Sequence, residues 1–199
     1  MSITFKYLYL SGCCALTLSS GCAINTRVGD VNDVPYSFGN LASAADIARI
    51  DIDVMPDGRG APPGQGTYAQ GKKIYAHMCA ACHGHDMANP VKGTGASALR
   101  GGRGTLASGN PKKTVESYWP YASTLFDYTK RAMPFNAPGS MSNDEVYAVV
   151  AYILAEGGII NTDTVMDAKT IASVKMPNRD GFIPDPRPEN FTNENTTTK

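Results

Sequence analysis

Cys79-Ala80-Ala81-Cys82-His83 is the stretch that decides the fold. Two thiols three residues apart share one face of a helical turn, and a histidine follows at once. On such a turn each thiol can add to one of the two vinyl groups of a haem. The histidine then supplies an imidazole nitrogen to the iron. With five cysteines and three histidines in 199 residues, the pattern arises by chance about 0.002 times in a chain of this composition. A disulfide between Cys79 and Cys82 would be strained in a helix. A redox pair of the thioredoxin kind would need a βαβ pattern around it, and none is present. Zinc held by His77, Cys79, Cys82 and His85 has suitable ligand types, but they crowd into nine residues with no second knuckle. Covalent haem c, one per chain, is the reading that fits.

Working outward, TYAQGKKIYAHMCAACH (67–83) reads as a helix running into the motif. NPVKGTGASALRGGRGTLASGNPKK (89–113) is a glycine-rich loop, long enough to have something to wrap around. SYWPYASTLFDYTKRA (117–132) predicts the next helix, with Pro120 in its first turn and Tyr121, Leu125 and Tyr128 along one face. MPFNAPGSM (133–141) breaks it. SNDEVYAVVAYILAEGG (142–158) is the clearest helix. Ser142 and Glu145 form a capping box, Val146, Val149, Val150 and Ile153 form a stripe, and Gly157 is the stop. A short helical patch is expected over 42–49.

The second axial ligand must come from the far side of the ring. Met133 stands before Pro134 in the break between the last two helices, where a thioether can be aimed at the iron; Met141 and Met176 are the alternatives. Arg100, Arg103, Tyr118 and Trp119 are candidates for hydrogen bonds to the haem propionates or for packing on the ring. A His/Met pair favours the ferrous state and leaves no position for substrate, so no catalytic residue is expected.

Residues 1–22 read as an export signal: one lysine in MSITFK, the apolar YLYLSGCCALTL, then Ser19, Ser20 and Gly21. Cys22 is a candidate lipidation site and hence a lipid anchor to the membrane; ordinary cleavage near Ala23 is the other reading. Export implies a periplasmic protein. Residues 23–66, ending in PDGRGAPPGQGT, are expected to form an extended arm over a domain they do not build. Residues 67–160 are the haem domain, and 161–199 an extended, partner-binding tail, disordered at its end. Eighteen basic against eighteen acidic residues leave no electrostatic footprint for nucleic acid.

Helix into C-x-x-C-H, long loop, Met-Pro and capped terminal helix together resemble a class I cytochrome c. The resemblance implies a mainly α fold around one covalent haem, with Gly71 and Tyr75 meeting Tyr152 where first and last helices cross, and Met133 as distal ligand. A narrower likeness lies in IDVMPDGRGAPPGQGT (52–67), ESYWPYASTLFDYTKRAMPFNAPGS (116–140) and KMPNRDGFIPDPRP (175–188). These strings resemble the SoxD-type cytochrome subunit of bacterial sulfite or sulfane dehydrogenases. That likeness implies a molybdenum-cofactor catalytic subunit as partner, passing electrons from a sulfur compound to this haem and on to a downstream cytochrome or oxidase. Family members with two haems carry a second C-x-x-C-H; this chain has one. Two other roles compete. A free-standing electron carrier between a respiratory complex and a terminal oxidase or reductase would show no sulfur dependence. A haem enzyme or gas sensor would need an open iron position.

Overall fold

The computed structural model describes residues 39–185. The export signal, Cys22 and the end of the tail lie outside the described residues. The chain divides into two units, 1–42 and 43–199; of the first only 39–42 are described, and every element lies in the second. Among the described residues no helix is long and apolar enough to cross a membrane.

Ser43 opens α1 (Ala44–Ile50) with a capping box to Asp46. The turn residues that follow lead into β1 (Gln65–Gly66). Thr67 then caps α2 (Tyr68–Met78), and the side chain of Gln70 returns to the Thr67 backbone. The motif itself forms α3 (Ala80–His83), separated from α2 by Cys79. After the long loop come α4 (Ala122–Ala132) and α5 (Asn143–Glu156). The last elements among the described residues are β2 (Met166–Asp167) and α6 (Ala168–Ser173). The fold is the expected one, helical with a class I cytochrome arrangement, and its two short strands pair antiparallel, Gln65 opposite Asp167 and Gly66 opposite Met166.

The core is built on α5. Its capping box is the one expected, with Ser142 accepting from the Glu145 N–H and the Glu145 carboxylate accepting from the Ser142 N–H. The expected stripe is buried, but so is every residue from Val146 to Leu154. A helix buried all round needs cover on each side. Tyr75 and Tyr68 of α2 pack on Tyr152 with ring centroids 5.4 and 5.1 Å apart. Phe126 of α4 meets Tyr147 at 4.4 Å. The β-pair closes a third side at Ala148.

Two glycines permit that closeness. A Cβ at Gly71 would lie 1.8 Å from the Ala148 carbonyl oxygen and 2.8 Å from Tyr152 Cβ. A Cβ at Gly66 would lie 2.1 Å from the Ala148 nitrogen. Backbone meets backbone at both points, so nothing larger than hydrogen fits.

Three expectations give way. Pro120 stands before α4, not in its first turn. Thr114 and Ser117 have closed a turn of their own, each side chain accepting from the other's N–H at 3.0–3.1 Å, and the Tyr118 N–H donates to the Thr114 carbonyl. The helix starts only after this turn is complete. The inward face of α4 is Ala122, Ser123, Leu125, Phe126 and Thr129, because Phe126 docks on Tyr147; Tyr128 is turned outward against the edge of Trp119, at 5.7 Å.

The third change concerns the extensions. Val54 of the arm enters the core, and the carbonyls of Pro62 and Pro63 accept from the Tyr147 hydroxyl (2.8 Å) and the Asn143 side chain (3.2 Å). In the tail, Asp167 caps α6, and Met166, Ile171, Val174 and Met176 are core residues. Neither extension is simply draped or extended up to this point; each supplies apolar side chains to cover α5 and α4.

Gly71→Ala is expected to destabilise the protein by about 1–3 kcal/mol, since the clash is with helix backbone that cannot rotate away. Gly109→Ala, with open space around its Cβ, should stay within about 0.5 kcal/mol of the parent. Urea unfolding of the two variants side by side checks this pair.

Candidate haem site

Cys79 takes φ −119° and ψ −36° as the last residue capping α2 and the first before α3. The Cys82 and His83 N–H groups both donate to its carbonyl, at 3.1 and 2.9 Å. This single turn sets the two thiols on one face, three residues apart. Both are free; Cys79 is partly buried and Cys82 exposed. Burial, and then the neighbouring Cys82, push the Cys79 thiol up to about 11. Such a thiol is not the acidified nucleophile of disulfide exchange.

His83 Nδ1 lies 2.8 Å from the Ser97 carbonyl oxygen. A carbonyl only accepts, so Nδ1 must carry the hydrogen. Nε2 then keeps its lone pair, the state in which an imidazole binds a metal. The residues fit an axially ligated haem: two thiols on one turn, and a histidine whose tautomer is fixed by its other nitrogen. His77 and His85 are exposed, and among the described residues no three His, Cys, Asp or Glu side chains converge as a metal site.

The long loop is tied back to this turn. The Val91 N–H donates to the Cys82 carbonyl (2.9 Å), and the Leu99 and Arg100 N–H groups to the Met87 carbonyl (2.8 and 3.1 Å). Tyr75 Oη donates to the Gly84 carbonyl at 2.8 Å. Gly84 turns at φ +77°, where a Cβ would lie 2.2 Å from the Asn89 carbonyl oxygen. Asp86 closes the small turn by accepting from Asn89 and Ala88, bonds that hold its carboxyl below the ordinary range. The Ser97 carbonyl is thereby presented to His83.

The other candidates scatter. Arg103 Nε donates to Glu116 (2.7 Å) and its Nη2 to the Gly157 carbonyl. Arg100 makes a longer pairing with Glu156 at 3.4 Å. Tyr118 lies between the Phe182 ring (5.2 Å) and the Lys113 ammonium (5.0 Å). Trp119 is half-buried against Tyr128. Met133 caps the end of α4 in an extended conformation and is half-buried. Met141 and Met176, the alternatives, are core residues, only 2% and 3% exposed.

Sequence reasoning missed Ser97 and Glu116. Ser97 acts through its backbone, so no side chain announces it. Glu116 accepts from the Gly101 N–H at 2.6 Å as well as from Arg103. A lone acid beside two candidate arginines was the available signal. Glu116→Ala should cost about 1–3 kcal/mol, because it strands a partly buried donor and a guanidinium together. Urea unfolding measures the loss, and trypsin should cut the variant sooner at Arg100 or Arg103.

A family model described as cytochrome c oxidase, cbb3-type, subunit III matches residues 66–153. The crystal structure of the sulfane dehydrogenase SoxCD from Paracoccus pantotrophus contains a chain 38% identical to this one. The match covers 78% of this chain and 75% of that chain, with a TM-score of 0.69. A thiosulfate dehydrogenase (TsdBA) from Marichromatium purpuratum is 20% identical over 48% of this chain and 20% of that one. Its TM-score of 0.34 is too low to bear on function.

Proposed function

The chain belongs to the SoxD-like class I cytochromes c, and from that premise we propose that it is the mono-haem electron-transfer subunit of a periplasmic sulfur dehydrogenase. Its partner is a molybdenum-cofactor subunit that oxidises a sulfane or sulfite substrate, and a downstream cytochrome or oxidase takes the electrons on. The observation that carries this reading is the reach of the SoxCD likeness. It covers 78% of the chain, more than the stretch 66–153 of the general cytochrome domain. A mobile carrier needs only the haem domain; likeness in the flanking arm and tail supports a subunit built to stay with a partner.

Cys79 and Cys82 hold the haem through thioethers, and the single C-x-x-C-H motif implies one haem in this chain. Bound there, haem iron takes up and returns one electron at a time. His83 would ligate the iron through Nε2. Its Nδ1–H, held on Ser97, keeps the ring from turning and raises the basicity of the ligating nitrogen. Met133 would supply the second, thioether ligand. Met141 and Met176 support the core instead, where their burial places their thioethers among apolar side chains. With His83 and Met133 both committed to it, the iron would offer no site to substrate, and the sulfur chemistry would belong to the partner.

Of the propionate candidates, Arg103 has two donors committed to Glu116 and Gly157, and Tyr118 packs between Phe182 and Lys113. Arg100, with its longer pairing, and Trp119 are the better-placed pair for that role.

The experiment is the visible spectrum of the natively purified, oxidised complex before and after sulfite or thiosulfate. Growth of the sharp ferrous α band within mixing time is expected. No growth with either compound, while dithionite still reduces the haem, would assign the chain to another electron route. Met133→Ala should abolish the near-infrared sulfur-to-iron band and lower the reduction potential. A band that survives would move the distal role to another methionine.

A further inference from the structure

Met133 begins an eight-residue stretch, 133–140, between α4 and the Met141–Ser142 start of α5. Within that stretch the backbone makes two turn bonds, Ala137 N–H to Pro134 (2.9 Å) and Ser140 N–H to Ala137 (3.3 Å). Phe135, beside the methionine, is 85% exposed, so packing on its own side chains does not hold the loop. Something must fix its ends if a thioether is to stay aimed at one point.

Lys130 and Arg131, in the last turn of α4, do so for the loop. Lys130 Nζ reaches across its mouth and donates to the Met141 carbonyl at 2.7 Å, in a part-buried setting. This bond joins the last turn of α4 to the residue at which the loop ends, and Met141 is itself anchored in the core, 2% exposed. Arg131 works in the other direction. Its Nε donates to both carboxylate oxygens of Asp127 at 3.0 Å, and its Nη2 donates to Asp53 of the arm. Asp127 also accepts from the Val54 N–H at 3.0 Å, and Val54 is buried. The final turn of α4 is therefore fastened to the arm through two carboxylates and one buried backbone group.

The arm at that point is itself fixed. The Met55 N–H donates to the Arg59 carbonyl, and the Gly58 and Ala61 N–H groups to Met55 and Gly58. A Cβ at Gly58 would lie 2.7 Å from Ala172 Cβ on α6. The arm is thus tied both to α6 and to the last turn of α4, which Met133 caps.

We infer that Lys130 and Arg131 are positioning residues for the distal ligand: together they clamp the 133–140 loop at both ends, and the arm, through Asp53 and Asp127, forms one jaw of that clamp. The inference rests on Met133 being the ligand. Neither side chain is proposed as a ligand. Their effect is on how readily the loop lifts and lets another ligand in, since charge-assisted hydrogen bonds are the strong ones available at a partly exposed site.

The test uses the haem-loaded full chain and imidazole as the entering ligand, with the ferric spectrum as readout. Met133→Ala comes first. Loss of the sulfur-to-iron band in that variant establishes the ligand; survival of the band would sink the ligand reading itself and is told apart from failure of the clamp. With the ligand established, Lys130→Met and Arg131→Met should retain the band but bind imidazole about tenfold more tightly, the scale of one lost charge-assisted bond. Arg131→Lys should recover part of that gain. Asp53→Asn, at an exposed carboxylate whose change leaves the core intact, should tighten imidazole binding about threefold and serves if the others fail to fold. Arg59→Ala, which removes only an exposed pair with Asp57, should do nothing. Imidazole affinities within about twofold of the parent across the Lys130, Arg131 and Asp53 variants would overturn the clamp, even if their unfolding midpoints fell, because a merely structural role lowers stability without opening the iron.

Discussion

The contact on which the rest depends is the one with no side chain in it: Gly71 of α2 and Gly66 of β1 laid against the backbone of Ala148 in α5. Helix axes ordinarily stay about 8–10 Å apart because side chains stand between them. Removing the side chain lets α2 settle until its tyrosines straddle Tyr152. The position of α2 fixes where it ends, and it ends at Cys79. The haem-attachment turn is thus set by a crossing just over two helical turns earlier.

From there polar bonds run outward along the chain after the motif until one backbone carbonyl holds the functional imidazole. Tyr75 holds the Gly84 carbonyl, the Met87 carbonyl holds the loop at Leu99 and Arg100, and the loop offers the Ser97 carbonyl to His83. Away from the motif, Asp127 holds the arm and the end of α4 together. The surroundings of His83 are built by the chain after the motif, and the end of α4 is held by the chain before α2. An electron-transfer site benefits from such stiffness, because surroundings that do not rearrange leave the metal free to change charge with little motion.

The extensions join these two halves. The short β1–β2 pair brings arm and tail together beside α5, and α6 sits against the turn at Gly58. Extensions built into the core in this way serve a fixed assembly better than a shuttle, in keeping with the SoxCD likeness that covers them. They also leave apolar groups on the surface, Ile47 and Ile50 of α1 among them.

The sequence alone determined the chemistry and the outline. Cys79, Cys82 and His83 are legible because covalent attachment demands fixed residues at fixed spacing, and the capped helix from Ser142 is legible because capping and helical period are local. Gly71, Tyr75 and Tyr152 could be picked out as candidates for a close helix crossing, a reading the family resemblance reinforced. Tertiary structure decided the rest. It turned Tyr128 out and Phe126 in, started α4 after Pro120, drew Val54 and Met176 into the core, and chose Ser97 and Glu116 as partners. Each of these depends on what lies opposite in space, on a carbonyl or an apolar surface contributed from far along the chain. A backbone acceptor has no letter of its own, and an apolar residue in a proline-rich stretch reads the same whether it faces water or another helix.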